Sequence, residues 1–258
     1  MAKWSSFYLI RIEFLGFRYH GWQKQAKLRS IQGMIDKTFE FILGHTNFKT
    51  LGCGRTDAKV SAHDFAFELF LDQPQDVDHL IKDLNQNLPS DIRAKSIQVI
   101  DENFNIIKHP KIKEYHYLFS SGKKSHPFNA PFIRDFGEQL HMENMILAAN
   151  EFVGVHNFKR YASKPTSKTS FEREILMAAI EVNTSLSGSF VPEKTYVFKV
   201  RAKGFLRYQV RLMMGALVDV GRGVWTIEDL RQSLIDFNGV QIKHIAPSSS
   251  LILHKVSF

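Results

Sequence analysis

The chain has 258 residues, a formal charge of +8 and a pI near 9.5, room for one large domain or two modest ones, with a bias toward polyanionic partners. Its one cysteine, Cys53, excludes a disulfide within the chain and a Cys-based zinc site, and it suits a reducing cytoplasm. No apolar run approaches the roughly 18–20 residues that span a bilayer, and Arg11 and Glu13 interrupt the first apolar stretch, so neither a membrane span nor a signal peptide is expected.

Tyr8, Ile10, Ile12 and Phe14 alternate with Leu9, Arg11 and Glu13, the period-2 pattern of a strand with one apolar face. The stretch from Gly16 to Lys27 reads as a loop rich in aromatic and basic residues. Ser30 is placed to cap a helix carrying Ile31, Ile35, Phe39 and Ile42, and Gly44 is placed to stop it. A short strand near Phe48–Leu51 enters the glycine-rich Gly52-Cys53-Gly54. Phe65, Phe67, Leu69 and Leu71 then form the clearest strand of the chain. Val77–Leu88 reads as a helix ended by Pro89, and a strand resumes from Ile92 to Ile100. This order, β-α-β-β-α-β, is the ferredoxin-like split unit.

The second half repeats that order loosely. Tyr115–Phe119 is a strand and Met142–Val153 a helix. Ile175–Val182 and Tyr196–Ala202 are strands around a Ser/Gly/Pro loop. Leu206–Val220 is a very apolar helix, Thr226 caps another that runs to about Phe237, and Leu251–Val256 is a last strand. The reading is α/β (α+β): two ferredoxin-like halves, residues 1–103 and 104–258, with a joined antiparallel or mixed sheet and a basic central cleft. Asn103–Lys113 is the expected crossover.

Gly54-Arg55-Thr56-Asp57-Ala58 is the first segment that suggests chemistry. A cation near Asp57 favours its ionised form, as a nucleophile or base requires, although an isolated Arg-x-Asp is more often a loop aspartate capping its own turn. Cys53 reads better as a small buried residue than as a nucleophile, because no suitably spaced His accompanies it. His63-Asp64 and His156 lack further ligands at metal spacing. Arg18, Lys24, Lys27, Arg160, Lys203 and Arg207 suit an RNA surface of phosphate contacts, with an ordinary solvated cation the alternative for each.

The segment from Gly54 to Ala62 resembles the Gly-Arg-Thr-Asp-Ala-Gly-Val-His signature of the tRNA pseudouridine synthase A family. Further stretches are similar to its motifs in the same order. They are Gly21-Trp22-Gln23-Lys24-Gln25, Asn87-Leu88-Pro89-Ser90-Asp91-Ile92, Lys113-Glu114-Tyr115-His116-Tyr117, Phe205 through Val210-Arg211, and Ala246-Pro247. The resemblance spans nearly the whole chain and marks a divergent member. It implies an isomerase that converts uridine to pseudouridine in RNA, typically the anticodon arm of tRNA, without cofactor or metal, as a cytoplasmic homodimer. It also implies that Asp57 is the catalytic carboxylate, that Tyr115 stacks on the flipped base, and that Arg211 partners Asp57. Arg55 either pairs with Asp57 or fills the gap left by the base; the second role is preferred.

Several positions depart from the family pattern. Lys59 stands for a glycine and Ser61 for a histidine. Leu15-Gly16-Phe17 lacks the usual acidic residue, Phe104-Asn105-Ile106-Ile107-Lys108 replaces a His-Ala-Arg-Phe segment, and Ser248-Ser249-Ser250 replaces a glycine-bearing turn. If the family glycine has positive φ, Lys59 implies a changed loop. Retained chemistry with altered surroundings points to a shifted target uridine or another RNA. The alternative from a different class is an RNA-binding protein of the same fold without activity.

Overall fold

The computed structural model describes residues 4–258. The chain divides into two compact units: one runs through Pro110 and adds Leu253–Val256 and Phe258, and the other comprises Lys111–Ile252 and Ser257. The fold is α+β, as expected from the sequence.

The first unit contains β1 (Ser6–Phe14), α1 (Ile31–Leu43), β2 (Phe48–Gly52), β3 (Ser61–Leu71), α2 (Val77–Asn87) and β4 (Ile92–Val99). Its strands lie in the order β4-β1-β3-β2, all antiparallel. This is the split β-α-β-β-α-β arrangement that the alternation predicts. Phe65, Phe67, Leu69 and Leu71 share one face of β3 and are buried, as are Ile31, Ile35 and Phe39 along α1. The Phe39 and Phe67 rings meet edge to face at 6.3 Å. Burial of each such side chain contributes about 1.5–3 kcal/mol. The helix ends follow their expected chemistry: Ser30 accepts a hydrogen bond from the Gly33 N–H, and Gly44 closes α1 at φ 72°.

On the other face of β3, Glu68 is buried, and its Oε1 accepts the Ile106 N–H at 2.8 Å. Burial raises the pKa of this carboxyl group. The same contact fastens the segment after β4 to the first unit, and Ile106 there is fully buried.

The second unit contains β5 (Ile112–Ser120), β6 (Arg134–Asp135), α3 (Met142–Asn150), β7 (Gly154–Asn157), β8 (Glu172–Val182), β9 (Thr195–Ala202), α4 (Gln209–Gly221) and α5 (Ile227–Ile235). The last strand, β10 (Leu251–Ser257), has residues in both units. Within the second unit the strands run β5-β9-β8-β7, with β6 parallel to β5. Tyr117, Phe119, Phe198, Met145, Leu212 and Met213 are buried in its core. A capping box between Thr226 and Asp229 starts α5, as Thr226 predicts.

Differences from the sequence expectation are local. The helix predicted from Leu206 begins at Gln209, because Tyr208 adopts φ 64° and the Gln209 Oε1 accepts the Leu206 N–H at 2.8 Å. The helix predicted to reach Val153 ends at Asn150, and β7 follows as a strand too short to show alternation. Among the described residues no helix is long and apolar enough to cross a membrane.

Candidate active site

Asp57 lies on the connection from β2 to β3 and is half-buried. Its carbonyl accepts the Val60 N–H at 3.2 Å, closing a turn across Ala58 and Lys59. Lys59 has φ 67°, the left-handed conformation that the third residue of a type II turn requires. The conditional expectation of a changed loop is therefore corrected: the lysine itself takes the conformation a glycine would favour. Its N–H donates to the Tyr19 carbonyl at 2.9 Å, and its ammonium sits 5.6 Å from the Phe17 ring centre. Two departures from the family pattern thus touch each other.

The aromatic loop after β1 buttresses this turn through glycines. A Cβ on Gly21 would lie 2.2 Å from the Thr56 carbonyl oxygen, and one on Gly16 would lie 1.9 Å from the Val60 oxygen. Gly52, where the turn leaves β2, lies against the Trp22 ring, 2.5 Å from where its Cβ would stand. Trp22 in turn stacks on Phe65 at 4.2 Å. The buried Ser61 hydroxyl, at the position of the family histidine, accepts the Gly16 N–H at 2.9 Å. Close backbone approach, with no room for a side chain, holds the Asp57 turn against the loop.

A left-handed L residue costs roughly 1–2 kcal/mol, offset in part by the greater freedom of glycine in the unfolded chain. Lys59→Gly is therefore expected to leave the thermal midpoint unchanged or raise the stability by up to about 1 kcal/mol. A calorimetric fall of more than about 1 kcal/mol would show that the contact with Phe17 outweighs the backbone strain.

In the second unit, Tyr115 is buried on β5, with its ring edge to face with Phe205 at 5.3 Å. Arg211 lies in the first turn of α4 and is half-buried. Its Nε donates to the Ala246 carbonyl at 2.7 Å, the Ala246 N–H donates back to the Arg211 carbonyl at 3.1 Å, and the guanidinium lies 4.7 Å from the Tyr208 ring centre. One face of α4, spaced by four residues, grips the segment before β10: Arg211 binds Ala246, Gly215 lies against the His244 carbonyl, and Asp219 pairs with His244 Nδ1 at 2.8 Å. The Ala246-Pro247 motif is thereby given a structural role as the anchor of Arg211.

The remaining candidates divide by environment. Arg55 and Arg207 are exposed. Arg18 pairs with Asp91 at 2.7 Å and Lys24 with Asp36 at 3.1 Å. Arg160 donates through Nε to the Val240 carbonyl at 2.8 Å. Cys53 is buried, Asp64 pairs with Arg11 at 2.6 Å, and His156 Nε2 lies 3.0 Å from the Val153 carbonyl oxygen. Sequence reasoning did not find the glycine buttress, Tyr19 or the Gly215–His244 contact. The glycines flanking an aromatic loop were the available signal for the first, and the third is purely tertiary.

The sequence profile described as tRNA pseudouridine synthase matches residues 148–258. The tRNA pseudouridine synthase A of Thermosipho melanesiensis is 32% identical over 254 residues, covering 97% of this chain and 99% of that one. Its counterpart in Aquifex aeolicus is 30% identical over 251 residues, covering 96% and 98%. The tRNA pseudouridine synthase A 2 of Bacillus thuringiensis subsp. konkukian is 30% identical over 254 residues, covering 97% and 99%. With the α+β fold, these matches define the class as pseudouridine synthases. The chain belongs to the tRNA pseudouridine synthase A family.

Proposed function

We propose that this chain isomerises uridine to pseudouridine in tRNA, with Asp57 as the reacting carboxylate. The observation that carries the reading is a buttressed Asp57 turn in a chain matching its synthase relatives almost end to end. The reaction breaks the C1′–N1 bond, turns the uracil and joins C5 to C1′; the base loses its C5 proton and gains one at N1. Both attack at C1′ and removal of a sugar proton need Asp57 ionised. The target base must leave its stack, at a cost of a few kcal/mol. Tyr115 offers a stacking face worth roughly 1–3 kcal/mol, which offsets that cost. Arg55, exposed beside Asp57 in sequence, occupies the vacated position, and Arg211 supplies a fixed positive charge to the substrate.

Exposed Arg207 suits a phosphate contact directly. Arg18 and Lys24 take that role only by exchanging Asp91 and Asp36 for phosphate, and Arg160 only by releasing backbone carbonyls. The resemblance extends the reading to a cytoplasmic homodimer.

The test is incubation of unmodified tRNA with the protein, followed by carbodiimide treatment and primer extension. New stops are expected. Stops in the anticodon arm would match the family's usual target, and stops elsewhere would show that the altered surroundings have redirected it. Silence in tRNA, ribosomal RNA and messenger RNA, with binding retained, would replace this reading with a binder that lacks activity.

A further inference from the structure

Asp91 lies in the Asn87-Leu88-Pro89-Ser90-Asp91-Ile92 motif, to which the reaction so far gives no task. Its side chain is largely buried at the start of β4 and is doubly engaged. The Tyr19 hydroxyl donates to one carboxylate oxygen at 2.6 Å, and Arg18 donates to the other through Nε at 2.8 Å and Nη2 at 2.7 Å. The Asp91 carbonyl also accepts the Leu15 N–H at 2.9 Å. One residue thus holds Leu15, Arg18 and Tyr19, three points at the start of the aromatic loop. Tyr19 is itself buried, and its carbonyl accepts the Lys59 N–H inside the Asp57 turn. On either side of Tyr19, Gly16 and Gly21 press on the backbone of the same turn. Burial, followed by the bond to Asp91, pushes the Tyr19 hydroxyl up to about 12, so it stays a donor at neutral pH.

We propose that Asp91 is a positioning residue for the reaction, setting through Tyr19 where the turn presents the Asp57 carboxylate. This rests on the reading of Asp57 as the reacting group. The chain of contacts is short and made of backbone or doubly bonded groups, so a shift at Asp91 passes to the turn with little slack. Misplacement by about an ångström can cost roughly a hundredfold in rate without touching the reacting group.

The experiment compares Asp91→Asn, Asp91→Ala, Tyr19→Phe and Asp57→Ala in single-turnover pseudouridine formation on tRNA, with thermal midpoints measured in parallel. Asp91→Asn and Tyr19→Phe are expected to lower the saturated rate about tenfold and Asp91→Ala about a hundredfold. The half-saturating enzyme concentration should stay within about twofold. A merely structural role would lower the midpoint and the active fraction but not the saturated rate per folded molecule. Native rates in folded Asp91→Asn and Tyr19→Phe would overturn the proposal while an inactive Asp57→Ala leaves the Asp57 assignment standing. Turnover by Asp57→Ala would instead remove that assignment. A loss confined to the half-saturating concentration would also overturn it, assigning Asp91 to RNA binding through Arg18. Should Asp91→Ala fail to fold, Tyr19→Phe decides, since it keeps both the ring and the carbonyl that binds Lys59.

Discussion

Asp57→Ala should abolish pseudouridine formation while the protein still folds and still binds tRNA. Loss of a nucleophilic or basic carboxylate typically costs on the order of 10⁴-fold or more in turnover. Backbone contacts hold the turn. Its closing bond runs from the Val60 N–H to the Asp57 carbonyl, its second tie from the Lys59 N–H to Tyr19, and its buttress from Gly16 and Gly21 to backbone oxygens. All of these survive truncation to alanine. Affinity for tRNA comes mainly from phosphate neutralisation by cations and should fall with added salt in the variant as in the native protein. Asp57→Asn keeps the shape and removes the charge, so it should be equally inactive. Filter binding across a salt series and carbodiimide-dependent stops measure the two halves of the expectation. Turnover above about one per cent of native in either variant would remove Asp57 from the chemistry. Loss of affinity along with turnover would place the carboxylate in substrate binding instead.

The parts of this protein that could be read in advance are those set by local rules. The order of the first unit follows from alternation in β1 and β3 and from chain-stopping residues, with Ser30 and Gly44 bounding α1 where expected. Asp57 stands out as a candidate because its neighbours form a contiguous motif. What stayed hidden depends on contacts between distant residues or on costly conformations. Lysine and tyrosine seldom adopt positive φ, so nothing in the sequence marks Lys59 as keeping the turn or Tyr208 as delaying α4. Arg18 and Lys24 look like free cations along the chain, and only the fold brings Asp91 and Asp36 to them. The grip of α4 on the segment before β10 is of the same kind. Its face carries an arginine, a glycine and an aspartate at four-residue spacing, a pattern with no meaning until the opposing backbone is known.

Gly215→Ala separates the local rule from the tertiary one most sharply. Alanine in a helix interior is favoured over glycine by about 1 kcal/mol, so helix propensity alone predicts a more stable protein. The structure predicts the reverse. The new Cβ would stand 1.8 Å from the His244 carbonyl oxygen and 2.7 Å from its carbon, which are backbone atoms that cannot rotate away. The opposing segment is also held on both sides, by Arg211 on Ala246 and by Asp219 on His244, so relief requires those bonds to stretch or break. Overpacking of this kind typically costs 1–3 kcal/mol, and the propensity gain offsets about 1 kcal/mol of it; with a clash against backbone at the upper end of that range, a net loss of about 1–2 kcal/mol is expected in urea unfolding. The substitution should also lower activity in the molecules that remain folded, because displacing Ala246 releases the Arg211 guanidinium from its carbonyl. Stability equal to or above native would show that the His244 segment yields without cost. In that case the orientation of Arg211 could not depend on close packing at Gly215.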